Sequence, residues 1–247
     1  MKYIYDGEFL KGIFINRPNR FIAEVKLDGE IVKAHVKNTG RLKDLLVPGR
    51  KCYLMKAKNP NRKTKYDLIS IEREDRYVNL DTQVPNIIVK EAFLNSKVEG
   101  WENPDNVESE ITIGNSRLDL LVEKEGKKLY IEIKSVDFLI DNYISSFPGA
   151  PTERGRKHLR ELKKIVENGD SAMVFFLVVR EEAKAFRPCY EIDKEFSDIF
   201  YDVLDNGVEA RAYLTEIGYN SLTLKNQIPI LSKDKMMETI DKNIIEW

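Results

Sequence analysis

The chain has 247 residues, and its 40 Lys and Arg against 41 Asp and Glu leave a formal net charge of -1, so any attraction to a polyanion must come from local patches. Its 42% hydrophobic content is ordinary globular material, enough for one large core or two modest ones. The only cysteines, Cys52 and Cys189, lack C-x-x-C spacing, which excludes a disulfide framework and a thiolate zinc site.

The opening stretch "MKYIYDGEFL" turns acidic by its sixth residue and lacks the apolar core of a secretion signal. The longest apolar run, "AMVFFLVV", falls far short of the roughly 20 residues that cross a bilayer. The expectation is a cytoplasmic protein with no membrane partner. Over residues 1–75, five short strand patterns alternate with turn signals: "EFLKGIFINRP", "RFIAEVKL", "EIVKAHVKN", "KCYLMKAKN" and "KYDLISIER". With "DGE" at 28–30 and "NPNR" at 59–62 as hairpin turns, they predict a small OB-like barrel over residues 1–78.

From about residue 80 the pattern changes to helix, three strands, helix, strand, helix, strand, the grammar of an α/β domain, here placed over 79–232. The helix "NIIVKEAFLNSKV" follows Pro85, and the strands "SEITIG", "SRLDLLVE" and "KLYIEIKS" come next, with "EKEGKK" turning between the last two. After the stretch "DFLIDNYISSFPGAP", which is expected to be irregular, Thr152 caps a helix through "ERGRKHLRELKKIVEN" that Gly169 stops. Leu159, Leu162, Ile165 and Val166 form its apolar stripe. The fully apolar strand "SAMVFFLVV", a helix near 193–206 and the strand "VEARAYLTE" complete the layer, and residues 233–247 read as a C-terminal helix or tail.

Strand side chains alternate between faces, so Leu118, Leu120 and Val122 share one face and Asp119 interrupts the other. The same rule puts Glu132 and Lys134 together, opposite Leu129, Ile131 and Ile133. If the two strands form a hairpin around "EKEGKK", Asp119 and Glu132 converge at the end away from the turn. Close carboxylates repel unless a cation sits between them, and Mg²⁺ suits such hard oxygen ligands. A lysine two residues beyond the second acid can orient or deprotonate the attacking water and offset charge on a phosphate. The bland alternative is an exposed strand face with ordinary surface ion pairs.

The arrangement Asp-x12-Glu-x-Lys on adjacent strands after a helix resembles the PD-(D/E)xK nuclease superfamily. The strings "RPNRFIAEV", "VKNTG", "NSRLDLL", "IEIKSV", "FPGAPTERGRKHLREL" and "LKNQIP" together are similar to the sugar fermentation stimulation protein A family, with "TERG-x-KHL" the most specific. That resemblance implies an OB-like domain followed by a restriction-endonuclease-like domain, a mixed central sheet flanked by helices, so an α/β (α+β) fold. It further implies nonspecific DNA binding and a regulatory role in sugar, particularly maltose, metabolism. Carried over residue by residue, Asp119 and Glu132 would be ligands of Mg²⁺ or Mn²⁺ and Lys134 the catalytic lysine.

For a fourth acid, Glu91 is the first candidate, because Ile87, Ile88 and Leu94 at helical spacing would place it beside the buried face, and Glu110 competes with it. His158 borders the apolar stripe of its helix, and with Arg154 and Lys157 it is a candidate for substrate contact, the alternative being a hydrogen-bonded boundary histidine. In the barrel, Arg17, Arg20, His35, Lys37, Asn38 and Arg41 mix cations and amide donors, and Arg62, Lys63 and Lys65 cluster at a hairpin, so both sets are candidates for nucleic-acid contact. Phe21 fits the core better than a stacking platform. The expected partner is DNA and/or RNA. The sequence leaves three matters open: a homodimer, a binding regulator without turnover, and a small-molecule enzyme using the same site.

Overall fold

The structure, a computed structural model, describes residues 1–59, 61–114, 116–140 and 143–240. The chain divides into two compact units, one of residues 2–84 with 216–223, the other of Met1, 85–215 and the chain from 224 on. No sequence pattern places residues 216–223 with the N-terminal unit.

In that unit β1 (Lys2–Ile4) precedes β2 (Phe9–Asn19), β3 (Ile22–Leu27), β4 (Glu30–His35), β5 (Lys51–Lys56), β6 (Tyr66–Arg73) and β7 (Arg76–Asn79). The order is β4-β3-β2-β5-β6-β7, and β4 also pairs with β6 in parallel through Ala34↔Tyr66 and His35↔Asp67. This pairing closes a five-stranded OB barrel, as its alternation predicts. Phe14, Ala23, Val25, Ala34, Leu54 and Leu68 are fully or almost fully buried in it. Two-residue hairpins that match strand twist need φ > 0 at both turn positions, and Asp28 (φ 49°) with Gly29 (φ 93°) supplies this between β3 and β4. Residues 216–223 join through Tyr219, whose ring lies 5.9 Å from Phe9 and 5.7 Å from Tyr53 and whose carbonyl accepts from the Ser70 hydroxyl at 3.2 Å.

The second unit follows α1 (Val84–Leu94) with β8 (Asn106–Ile113), β9 (Ser116–Lys124), β10 (Lys127–Val136), β11 (Phe138–Ile140), β12 (Ile144–Phe147), α2 (Glu153–Glu167), β13 (Ser171–Val178), β14 (Ala185–Pro188), α3 (Lys194–Asp205), β15 (Glu209–Gly218), β16 (Ser221–Ile228) and α4 (Lys233–Glu238). Its mixed sheet runs β16-β15-β13-β10-β9-β8, with β13 parallel to both β10 and β15. Helices cover both faces of β13, so seven of its eight residues are buried and it reads as an unbroken apolar run. On one face Phe93 of α1 lies 6.4 Å from Phe175. On the other, Phe176 meets Phe186 at 4.0 Å and Phe200 at 5.7 Å, and Leu159, Leu162 and Ile165 of α2 join the same core.

One expectation is corrected. The stretch 137–151 contains β11 and β12, which form with β14 a second sheet in the order β11-β12-β14. These strands are too short for a periodic signal, and their buried serines mask what signal there is. Ser145 and Ser146 donate to the carbonyls of Ala185 and Arg187 at 2.9 Å, so polar residues sit there without loss. Within 233–247 only α4 is described as helix, and residues 241–247 lie outside the described residues. Among the described residues no helix is long and apolar enough to cross a membrane.

Arg187 of β14 and Glu191, just beyond that strand, form a fully buried two-pronged pair at 2.8 and 2.5 Å, and Arg187 also donates to the carbonyl of Thr239 at 3.2 Å. Glu191→Ala strands a buried guanidinium and should cost about 3–5 kcal/mol in urea unfolding, whereas replacing both partners with apolar residues should cost far less. Equal losses in the two variants would refute this account.

Candidate functional site

The hairpin β9–β10 turns at Glu125 (φ 52°) and Gly126 (φ 76°), and its register runs from Lys127↔Lys124 to Ile131↔Leu120. One step further would set Glu132 opposite Asp119, and there the ladder stops. The Ile133 N–H instead donates to Asp119 Oδ2 at 2.7 Å. The two acids therefore stand on one face of the sheet at the end away from the turn, as alternation requires.

Glu132 is 3% exposed. One of its oxygens, Oε1, is held in very short contacts by Lys134 Nζ and by His158 Nδ1, which reaches it from α2. The other, Oε2, is buried with no hydrogen-bond partner. Burial pushes the Glu132 carboxyl up, but Lys134 and His158 outweigh it and hold the group below the usual range. Asp119 goes the other way. Burial and the Glu132 charge raise it, against the opposing pull of the Ile133 N–H, Lys134 and Asn86.

The helix residue that touches the acid pair is Asn86, whose Nδ2 donates to Asp119 Oδ1 at 2.8 Å. Glu91, the first candidate for a fourth acid, is five residues on, about 140° around the helix, and its Oε2 accepts from Asn95 at 3.3 Å. Ile87 and Leu94, which helical spacing assigns to the buried face, are 44% and 48% exposed, while Ile88, Val89, Ala92 and Phe93 face inward. The apolar pattern of this helix is wider than its buried face, so spacing alone misplaces Glu91. Glu110 falls opposite Asp119 by the register of β8 and β9, yet it is exposed, at φ 62°, and pairs with Arg117 at 3.6 Å.

Among the described residues no group of three or more His, Cys, Asp or Glu side chains is arranged to hold a metal ion. Two carboxylates, one raised in pKa by burial and by its charged neighbour and the other with a buried, unsatisfied oxygen, nonetheless fit Mg²⁺ or Mn²⁺, since Mg²⁺ is usually held by one or two carboxylates together with waters and substrate phosphates.

His158 owes its place to the start of α2. The Thr152 side chain caps the helix by accepting from Gly155 N at 3.0 Å, and Thr152 N donates to Asp193 Oδ2 at 2.8 Å. Arg156 reaches both oxygens of Asp193, at 2.9 and 3.1 Å. Sequence reasoning found neither Asn86 nor the Asp193–Arg156 link. Asn86 carries no charge to flag it, and Asp193 lies 41 residues from Thr152.

Arg154 and Lys157 are exposed on α2, while His158 is buried. In the barrel unit, three of the predicted nucleic-acid contacts gather on one buried acid. Arg62 grips Asp67 at 2.6 and 3.1 Å, Lys37 lies at 3.5 Å and His35 at 3.6 Å. Burial raises Asp67, these cations outweigh it, and the net shift is downward. Lys37 also holds Asp81 at 2.8 Å. Arg17 spans the carbonyls of Arg20, Asn38 and Gly40, each at 2.6 Å, and the buried Asn38 side chain accepts from Gly40 N at 2.8 Å. Arg20, Arg41, Lys63 and Lys65 are exposed. Phe21, expected in the core, is 54% exposed, because Asn19 Oδ1 accepts from Phe21 N and Ile22 N and carries Phe21 out on the turn.

The profile of a family described as "Sugar fermentation stimulation protein RE domain" matches residues 83–221, and one described as "SfsA N-terminal OB domain" matches residues 15–80. A sugar fermentation stimulation protein homolog of Clostridium kluyveri is 42% identical over 228 residues, covering 92% of this chain and 99% of that protein. Its counterpart in Clostridium novyi is 43% identical over 219 residues, covering 88% and 95%. A solved structure described as Pyrococcus furiosus SfsA in complex with Ca²⁺ superposes with a TM-score of 0.86 at 26% identity, covering 94% of this chain and 100% of that one.

Since Glu132 is held below its ordinary value of 4.5, the stabilisation it carries is present above that pH and lost as pH falls through the folded value. Asp119, raised above 3.8, acts oppositely, because protonation relieves its burial as pH falls. Lys134→Met should move the Glu132 carboxyl-carbon NMR titration to higher pH, start the acid loss earlier, and cost up to about 3–5 kcal/mol at pH 7. An unmoved titration would show that Lys134 is not its counter-ion.

Proposed function

The chain belongs to the sugar fermentation stimulation protein family, and from that premise and the acid pair we propose that it binds nucleic acid and hydrolyses phosphodiester bonds with Mg²⁺ or Mn²⁺ at Asp119 and Glu132. The observation that carries this reading is the buried, unpartnered Glu132 Oε2 beside Asp119, with Lys134 and His158 on the opposite oxygen. A protein that only grips phosphate has no use for two buried anions at the contact point, since they repel the ligand and cost stability.

The cation, when bound, supplies Lewis-acid stabilisation to the phosphoryl group under attack. Lys134 keeps Glu132 ionised and presents an ammonium that can orient the attacking water and offset charge on the phosphate. His158 fixes Glu132 Oε1, which leaves Oε2 available as a ligand. Asn86 and the Ile133 N–H hold the Asp119 carboxylate from two sides, so its geometry is set before substrate arrives. The Pyrococcus furiosus protein is described in complex with Ca²⁺, a hard cation that also takes oxygen ligands, which supports a hard-cation site in this fold. The rival reading, a nonspecific DNA-binding regulator without turnover, draws on the exposed basic residues of the barrel and α2.

Purified protein should cut DNA or RNA with Mg²⁺ or Mn²⁺ and not with EDTA. Asp119→Ala and Lys134→Ala should each slow cutting by about a hundredfold or more, with gel-shift affinity changed only a few-fold. Ca²⁺ should raise the melting temperature of the parent and not of Asp119→Ala. Binding that is indifferent to divalent ions, with no cleavage, would establish the regulator instead.

A further inference from the structure

Lys134 carries its charge at the end of a flexible four-carbon stem, so alternation along β10 chooses its face without fixing where the ammonium lies. Glu132 Oε1 takes one of its three N–H donors. A second group also meets the cation. Lys134 Nζ lies over the ring of Phe147, the last residue of β12, 6.0 Å from its centroid. The Lys134 side chain is 12% exposed, so the attraction between cation and ring acts where little water screens it.

The ring is held in turn. It packs edge-on against Phe196 at 5.3 Å and lies 6.2 Å from Phe176. The Phe147 carbonyl accepts from Cys189 N at 2.8 Å, and the hydroxyls of Ser145 and Ser146, the two residues before it, donate to carbonyls of β14. Phe196 N donates to Asp193 Oδ1 at 2.9 Å, and the same carboxylate receives Thr152 N and Arg156 from the start of α2. Both groups on Glu132 Oε1 are therefore tied to one anchor, His158 through the start of α2 and Lys134 through Phe147 and Phe196. Phe147 and His158 also fall in one string of the sequence, "FPGAPTERGRKHLREL".

Resting on the reading of Lys134 as the lysine of a phosphodiester-hydrolysing site, we propose that Phe147 is a positioning residue, whose ring face holds the Lys134 ammonium beside Glu132. A ring attracts the cation through its quadrupole and has no lone pair that competes for a donor, so the remaining N–H groups stay available to the attacking water and the phosphate. A carboxylate or carbonyl in its place would consume one of them. An aliphatic side chain would fill the space and attract no charge. Phe147 need not touch substrate.

Replacing Phe147 by mono-, di- and trifluorophenylalanine drains negative potential from the ring face while nearly preserving its shape. In the full chain, with Mg²⁺ and saturating DNA or RNA, the single-turnover cleavage rate should fall with each fluorine, by about threefold or more at the trifluoro ring, with affinity in EDTA unchanged. The same fluorines should lower the melting temperature of the parent more than that of Lys134→Met, where the packing on Phe176 and Phe196 remains and the cation is gone; Lys134→Gln replaces Lys134→Met if the latter does not fold. A rate that is flat across the series, or equal melting losses with and without the lysine, would overturn the proposal. If the parent cuts neither nucleic acid, hydrolysis falls as the function, and the melting comparison alone decides whether Phe147 holds Lys134.

Discussion

The second unit is organised around a pair of strands that part where two carboxylates face each other. Up to Ile131↔Leu120 the hairpin is an ordinary ladder. At the next step a main-chain bond is given up, and the Ile133 N–H is satisfied by the Asp119 side chain instead. That exchange prevents an orphaned backbone donor and fixes one carboxylate, but it also brings two anions into a buried place. Each surrounding group answers the resulting repulsion. Lys134 and His158 hold Glu132 ionised, Asn86 steadies Asp119, and the raised pKa of Asp119 is what they leave uncompensated.

These groups come from elements whose positions are set far from the acids. The apolar stripe of α2 lies on a core built around Phe176, Phe186, Phe196 and Phe200, and this seats the helix over the sheet. Its rotation and start are then fixed by polar contacts, the Thr152 cap and the grip of Arg156 on Asp193, which itself caps α3. His158 arrives at Glu132 because all three conditions hold. The helix is placed by dispersion and burial and aimed by hydrogen bonds, and aiming is what the chemistry needs, since small misplacements at a reacting centre are costly.

What could be read in the sequence follows from this division. Alternation along a strand is a local rule, so the same-face placement of Asp119, Glu132 and Lys134 was legible from "SRLDLL" and "IEIKS", and so was the turn that joins the strands. Barrel closure was also legible, because five short alternating strands have few other ways to protect their edges. The neutral Asn86 gave no signal, and Glu91 gave a false one, since Ile87 and Leu94 are apolar residues that the fold leaves outside. Helical spacing shows which residues share a face but not how wide the buried part of that face is. Residues 137–151 were opaque for a different reason. Their strands are held by serine hydroxyls and by a partner, β14, that lies about 40 residues away in sequence.

The basic residues of the barrel show how a charge count overstates attraction to a polyanion. His35, Lys37 and Arg62 look like a phosphate-binding set in sequence, but folding brings them onto Asp67, with Asp81 sharing Lys37, so much of their field is neutralised at short range. Arg17 keeps its charge but turns its donors to main-chain carbonyls, where they shape a loop. Of the predicted contacts, Arg20, Arg41, Lys63 and Lys65 here and Arg154 and Lys157 on α2 stay exposed, divided between two compact units of a chain whose formal charge is -1. Whatever attraction these positions give a polyanion falls as salt rises, because it rests on counterion release.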